Sequence, residues 1–126
     1  MKTIIAGSRE GCGYQDFHRA LMACPFEITE VVSGGARGVD AMGETYAKDQ
    51  GLPLSLFPAD WRAHGKAAGP IRNREMAAYA EALVAIWDGE SRGTKNMIDE
   101  ASKRGLVIYV YRLDQQPTKE PCNEEQ

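Results

Sequence analysis

The sequence predicts a small doubly wound α/β domain, in which a five-stranded parallel sheet carries helices on both faces. Three observations predict it. Short apolar runs of strand type alternate with helix-period stretches along the chain. Most of these runs lead into loops rich in glycine, serine or charge. The 126 residues leave room for one domain with a single core.

The elements follow in order. Lys2 to Ala6 is a short β-branched run ending in Gly7-Ser8, and Tyr14 to Cys24 then sets Phe17, Ala20, Leu21 and Cys24 at helical spacing. Ile28 to Val32 predicts a second buried strand ending in Ser33-Gly34-Gly35. A helix follows from about Val39 to Gln50, with Val39, Met42, Tyr46 and Ala47 on one face and Gly51 as its stop. Leu52 to Phe57 predicts the third strand, Pro70 to Ala80 the third helix and Leu83 to Trp87 the fourth strand. A fourth helix runs from about Thr94 to Lys103, stopped by Gly105, and Leu106 to Tyr111 predicts the fifth strand. The domain is thus expected over 1–111. A flexible tail rich in Pro, Glu and Gln is expected over 112–126.

Parallel strands require crossover helices, and these cover both faces of the sheet. In such folds ligands sit beyond the carboxyl ends of the strands, near the point where strand order reverses. Function is therefore sought in the loops that follow the strands.

After the first strand, Gly7-Ser8-Arg9 combines close backbone approach, a hydroxyl and a forked cationic donor. An ordinary turn with a solvated arginine fits the same triplet. After the second, Ser33-Gly34-Gly35-Ala36-Arg37-Gly38-Val39-Asp40 places glycines between a buried strand and a helix N-terminus. Free amides there suit a phosphate. The loop is not a P-loop, because no Gly-Lys-Ser/Thr follows, and Ser33 replaces the first glycine of a dinucleotide fingerprint. Asp40, in the first helical turn, either compensates the helix dipole or grips a ligand hydroxyl.

Residues 58–69 form a long connection that holds Trp61, and Trp61 either stacks on a base or plugs the edge of the core. Pro70-Ile71-Arg72-Asn73-Arg74-Glu75-Met76 would place proline first in a helix, with two arginines in its first turn. Cations are disfavoured there by the dipole, so they ask for an anionic partner. Arg72 and Met76 are four apart and share a face. A solvated helix start with Glu75 as partner is the alternative. After the fourth strand, Asp88-Gly89 leads to Gly93-Thr94 at a helix start, suited to a second phosphate, a ribose or a simple cap.

Composition narrows the field. The formal charge is −3, which argues against a protein that coats nucleic acid. The one notable asymmetry is residues 61–74, with Arg62, His64, Lys66, Arg72 and Arg74 and no acid. Three cysteines, Cys12, Cys24 and Cys122, lack C-x-x-C spacing, so no zinc site is expected. No apolar run approaches the roughly 18 residues of a membrane span, and the apolar stretch at Met1 to Gly7 is too short for a secretion signal. The expected compartment is the cytoplasm, with no membrane partner. No cofactor is evident, although Mg²⁺ is compatible with a phosphorylated ligand. The exposed edges of so small a sheet lead us to expect a homodimer.

Together Gly7-Ser8-Arg9, the Ser33 to Asp40 loop, Arg72-Asn73-Arg74-Glu75-Met76 and Asp88-Gly89 to Gly93-Thr94 resemble the SLOG superfamily, in particular its YspA-like, DUF2493-type single-domain members. The resemblance spans about residues 1–111. It implies a Rossmann-like fold and a ligand that is a nucleotide or nucleotide-derived, such as a nucleoside phosphate or an ADP-ribose-like molecule. The related LOG phosphoribohydrolases, which cleave the base from a nucleoside monophosphate, would have their catalytic arginine at Arg72 and their methionine at Met76. Their glutamate would fall at Met97. Cleavage of an N-ribosyl bond needs a carboxylate, so a sensor or sequestering module is the first expectation. An N-ribosyl hydrolase or transferase using Asp40, Glu44 or Asp88 is the second, and single-stranded nucleic-acid binding the third.

Overall fold

A computed structural model describes residues 1–115. Its strands are β1 (Lys2–Gly7), β2 (Glu30–Ser33), β3 (Leu54–Leu56), β4 (Ala82–Trp87) and β5 (Val107–Arg112). Its helices are α1 (Tyr14–Ala23), α2 (Val39–Gln50), α3 (Trp61–His64), α4 (Ala68–Tyr79) and α5 (Arg92–Lys103). The strands pair in the order β3-β2-β1-β4-β5, all parallel. The expected doubly wound α/β sheet is the observed one.

The strands are buried on both sides, so alternate residues feed two cores. Ile4, Ala6, Val32, Leu83 and Ala85 meet Met76 and Ala77 of α4 and Met97 and Ala101 of α5. Ile5, Val31, Val84 and Ile86 meet Phe17 and Ala20 of α1 and Val39 and Ala47 of α2. Ile4, Ile5, Leu83 and Ile86 are wholly buried, each contributing about 1.5–3 kcal/mol.

Several boundaries differ from the sequence reading, for local reasons. α1 stops at Ala23 because Cys24 precedes Pro25, which disfavours helical backbone at Cys24. β2 begins only at Glu30, and β3 keeps only Leu54–Leu56, following Pro53, which has no N–H for a ladder. The connection 58–69 is not a plain loop. Asp60 accepts from the Ala63 amide at 3.1 Å and caps α3, a 3₁₀ turn covers Gly65–Ala67, and α4 starts at Ala68. Pro70 is therefore the third helical residue rather than the first, and Arg72 lies beyond the first turn. Arg72 and Arg74 therefore do not sit against the positive end of the helix dipole. At the other end, Arg112 closes β5 and Leu113–Gln115 form a 3₁₀ turn with Leu113 buried, so the described fold runs past the expected boundary at 111. The rest of the expected tail lies outside the described residues. Among the described residues no helix is long and apolar enough to cross a membrane.

Candidate functional site

The chain leaves β1 for β2 and β3 on one side, then returns to β4 and β5 on the other. The loops after β1 and β4 diverge at this reversal, where Gly7 is in register with Ile86. A cleft of about 770 Å³ opens there, and a side lobe of about 280 Å³ shares Arg9, Ala36, Arg37, Trp61 and Arg72 with it. Loops from four strand ends thus meet at one place.

Arg72 reaches from α4 across to the glycine loop. Its Nη1 donates to the Gly34 carbonyl at 2.5 Å and its Nε to Asn73 Oδ1 at 3.0 Å, which fixes the guanidinium while leaving Nη2 for another partner. A Cβ at Gly34 would overlap the Arg72 guanidinium, so glycine lets the guanidinium lie against this backbone. Burial, the main cause, and the nearby charge of Arg9 both lower the pKa of Arg72, while Asp40 opposes them. Two cations held beside one another by the fold are relieved by an anion. Four arginines line the cleft (Arg9, Arg37, Arg72 and Arg92) against three carboxylates (Glu10, Asp40 and Asp88), in a chain whose net charge is negative.

Two amides of the glycine loop are already engaged within the loop. Gly35 N–H donates to Ser33 Oγ at 3.1 Å, and Ala36 N–H donates to Asp40 Oδ2 at 3.3 Å. Ser33 Oγ in turn donates to Glu44 Oε2 at 2.8 Å, so Ser33 and Glu44 support the loop from beneath and line neither lobe. Gly38 packs on the Arg9 backbone, also outside the lining, while Gly34 and Gly35 line the side lobe.

Asp40 does line the cleft, although only 6% of its surface is exposed. Burial raises its pKa, against the hydrogen bond from Ala36 and the charge of Arg72. A folded carboxyl that holds its proton more tightly than the unfolded one costs stability as pH rises from the ordinary aspartate value through the raised one, and the cost is full above it. Asp40→Asn, which keeps an acceptor for Ala36, should therefore raise the melting temperature near pH 7. The gain should shrink toward about pH 4 as the carboxyl protonates. Thermal scans across that range check it, and a gain that does not vary with pH would contradict it.

Ser8 is a buried hub rather than a contact surface. It donates its amide to the Ile86 carbonyl at 3.0 Å, accepts from Asp88 N–H through Oγ at 3.1 Å, and accepts from Val39 N–H through its carbonyl at 3.2 Å. Asp88 Oδ1 accepts from the amides of Glu90 and Ser91 at 2.8 Å each; these bonds lower its pKa and shape the loop before α5. Asn73 is buried and committed as well. Its Nδ2 donates to the Gly93 carbonyl at 3.3 Å and to Asn96 Oδ1 at 2.9 Å, locking α4 to the start of α5. Gly93 and Thr94 line the cleft at that start, where no side chain caps the helix and no acid occupies its first turn; the Thr94 hydroxyl lies 3.2 Å from that of Ser91. The loop is braced from behind by Arg112, which lies 5.0 Å over the Trp87 ring and pairs with Asp114 at 2.7 Å.

Trp61 does not plug the core. It is 52% exposed and lines both lobes. Met76 and Met97 line the cleft from within, each 1% exposed. Met97 therefore occupies the cleft position at which the resemblance to the hydrolases puts a glutamate. The neighbouring acids of α5 do not replace it: Asp99 pairs outside with Lys95, and Glu100 sits between Arg74 and Lys103, neither lining the cleft. Sequence reading missed Glu10, Ser91, Arg92 and Asn96 as lining residues. The only available signal was proximity to a strand end, which does not say which way a loop turns.

A parallel sheet with a ligand-sized cleft at its switch point defines a Rossmann-like α/β domain. The fold is shared with the X-ray structure of DNA processing protein A (DprA) from Streptococcus pneumoniae, at a TM-score of 0.63 and 16% identity over 87% of this chain and 50% of that one. The chain thus spans about half the length of that protein. It is 40% identical over 84 residues to the Gene 61 protein of Mycobacterium phage D29, covering 62% of this chain and 67% of that relative. Residues 1–64 match the YAcAr family, described as the YspA, cpYpsA-related SLOG family, and the chain belongs to it.

Proposed function

We propose that the cleft binds a phosphorylated, nucleotide-derived small molecule and that the domain acts as a sensor or sequestering module for it. The observation that carries this reading is the pairing of Arg9 with the fixed guanidinium of Arg72 at the switch point. Their charge and forked donors suit a phosphate. Trp61 supports the reading, because a half-exposed indole on the cleft wall suits a base. The methionine at position 97, in place of a carboxylate, supports binding over base cleavage.

A nucleic-acid reading draws on Trp61 together with exposed Arg62, His64 and Lys66 beside it, and on the fold shared with a DNA processing protein. Fluorescence separates the two. Titration with AMP or ADP-ribose should quench emission saturably, and Trp61→Phe, which keeps Trp87, should abolish most of the quench. A quench seen only with oligonucleotides, and lost with added salt, would overturn the small-molecule reading.

A further inference from the structure

Of the three carboxylates that line the cleft, two are accounted for. Glu10 is exposed and pairs with Arg37 at 2.9 Å across the rim. Asp88 is engaged by the amides of its own loop. Asp40 is the buried one, and among the described residues it forms no ion pair. The groups that face it are few. From α4, Arg72 acts on it through space, but its Nε and Nη1 are committed to Asn73 and Gly34. From its own helix, Glu44 repels it from one turn further on, bonded to Ser33. From the glycine loop, the Ala36 amide donates to Oδ2 over a long 3.3 Å, and the Gly34 backbone adds a weaker hydrogen bond.

A buried carboxylate with so little compensation is costly to the fold, and such groups in clefts mark places where a ligand completes the hydrogen bonding. The chemistry of that completion is narrow. A phosphate beside Asp40 would be repelled, so the ligand's anion belongs with Arg9 and Arg72. An ammonium group is opposed by the excess of arginines in the same cleft. A neutral donor remains, and a carboxylate with two oxygens matches two adjacent hydroxyls.

We infer that Asp40 reads the ligand's sugar by accepting hydrogen bonds from a vicinal diol, so that the cleft selects a ribose-bearing phosphate ester over its deoxyribose counterparts. The inference rests on the nucleotide reading above and adds to it a specificity-determining residue. A dipole-compensating Asp40, by contrast, would be indifferent to the sugar.

The test is calorimetric titration of wild type, Asp40→Ala and Asp40→Asn with AMP, 2′-deoxy-AMP and 3′-deoxy-AMP. Wild type should bind AMP at least about tenfold more tightly than either deoxy form, since a site built to bond a hydroxyl rejects the analogue lacking it. In Asp40→Ala the ratio should fall to within about twofold. In Asp40→Asn, which retains an oxygen for Ala36 and so keeps the loop, it should fall below about threefold. Equal affinities in wild type, or a ratio retained in both variants, would overturn the role of Asp40. Failure of all three nucleotides to bind wild type would overturn the inference together with the reading beneath it, and is distinguishable because no ratio is then measured.

Discussion

Arg72→Ala is expected to weaken binding of a nucleoside phosphate at least about tenfold, because hydrogen bonds to a charged group contribute roughly 1.5–3 kcal/mol each. The side chain does two things at once. It holds the loop after β2 through the Gly34 carbonyl and holds Asn73 through Nε, and it presents its remaining donors to the cleft beside Arg9. Alanine removes the donors and loosens the loop. Lysine should not restore affinity, since one ammonium cannot span Gly34 and Asn73 while also meeting a phosphate as a fork does. Calorimetry with AMP reads the change, and melting curves show whether the fold persists. Unchanged affinity in a folded Arg72→Ala protein would remove Arg72 from the site.

Gly38→Ala should be among the most damaging single-methyl changes in the domain. The residue has φ 77° and ψ −127°, a region closed to L side chains, and an added Cβ would stand 2.5–2.6 Å from the carbonyl O, C and Cα of Arg9. Strain of about 1–3 kcal/mol is joined by an overlap between two stretches of backbone, neither of which can swing aside. A loss near 3 kcal/mol lowers the melting temperature by about 10 °C in a domain of this size. Gly35→Ala is the control. Gly35 has the same φ of 77° but nothing within 4 Å of an added Cβ, so it should lose only about 1–2 kcal/mol. Equal losses at the two positions would show that the approach of Arg9 to Gly38 is not what constrains this turn. Since the Gly38 turn packs against the Arg9 backbone of the loop after β1, Gly38→Ala should also displace Arg9 from Arg72.

Much of the architecture was legible because buried parallel strands write themselves as unbroken apolar runs. Lys2 to Gly7 and Ala82 to Trp87 need apolar residues on both faces, and their largely apolar composition, each followed by a glycine-bearing loop, marks them at once. The meeting of Arg9, Trp61, Arg72 and Gly93 in one cleft was legible for a topological reason, since each follows a strand whose carboxyl end faces the same way. The bonding within the loops was not. Spacing places glycines at a helix start, but it does not reveal that Ser33 and Asp40 take up the amides of Gly35 and Ala36. Nor does it reveal that Ser8 is a buried tie between two loops. α3 was missed because Trp61 to His64 carries no apolar period and depends on the cap at Asp60. Met97 shows the reverse case: counting along the helix found the position, and only the packing of α5 against α4 shows that it faces the cleft.

The most direct test of a nucleotide-binding cleft is native mass spectrometry of the protein with nucleoside mono- and diphosphates, ADP-ribose and a short single-stranded oligonucleotide, recording retained mass and released products. One intact nucleotide-derived molecule should stay bound per chain in wild type and be lost in Arg72→Ala, with no free base released. Retention of the oligonucleotide alone, or release of base from a bound monophosphate, would contradict it.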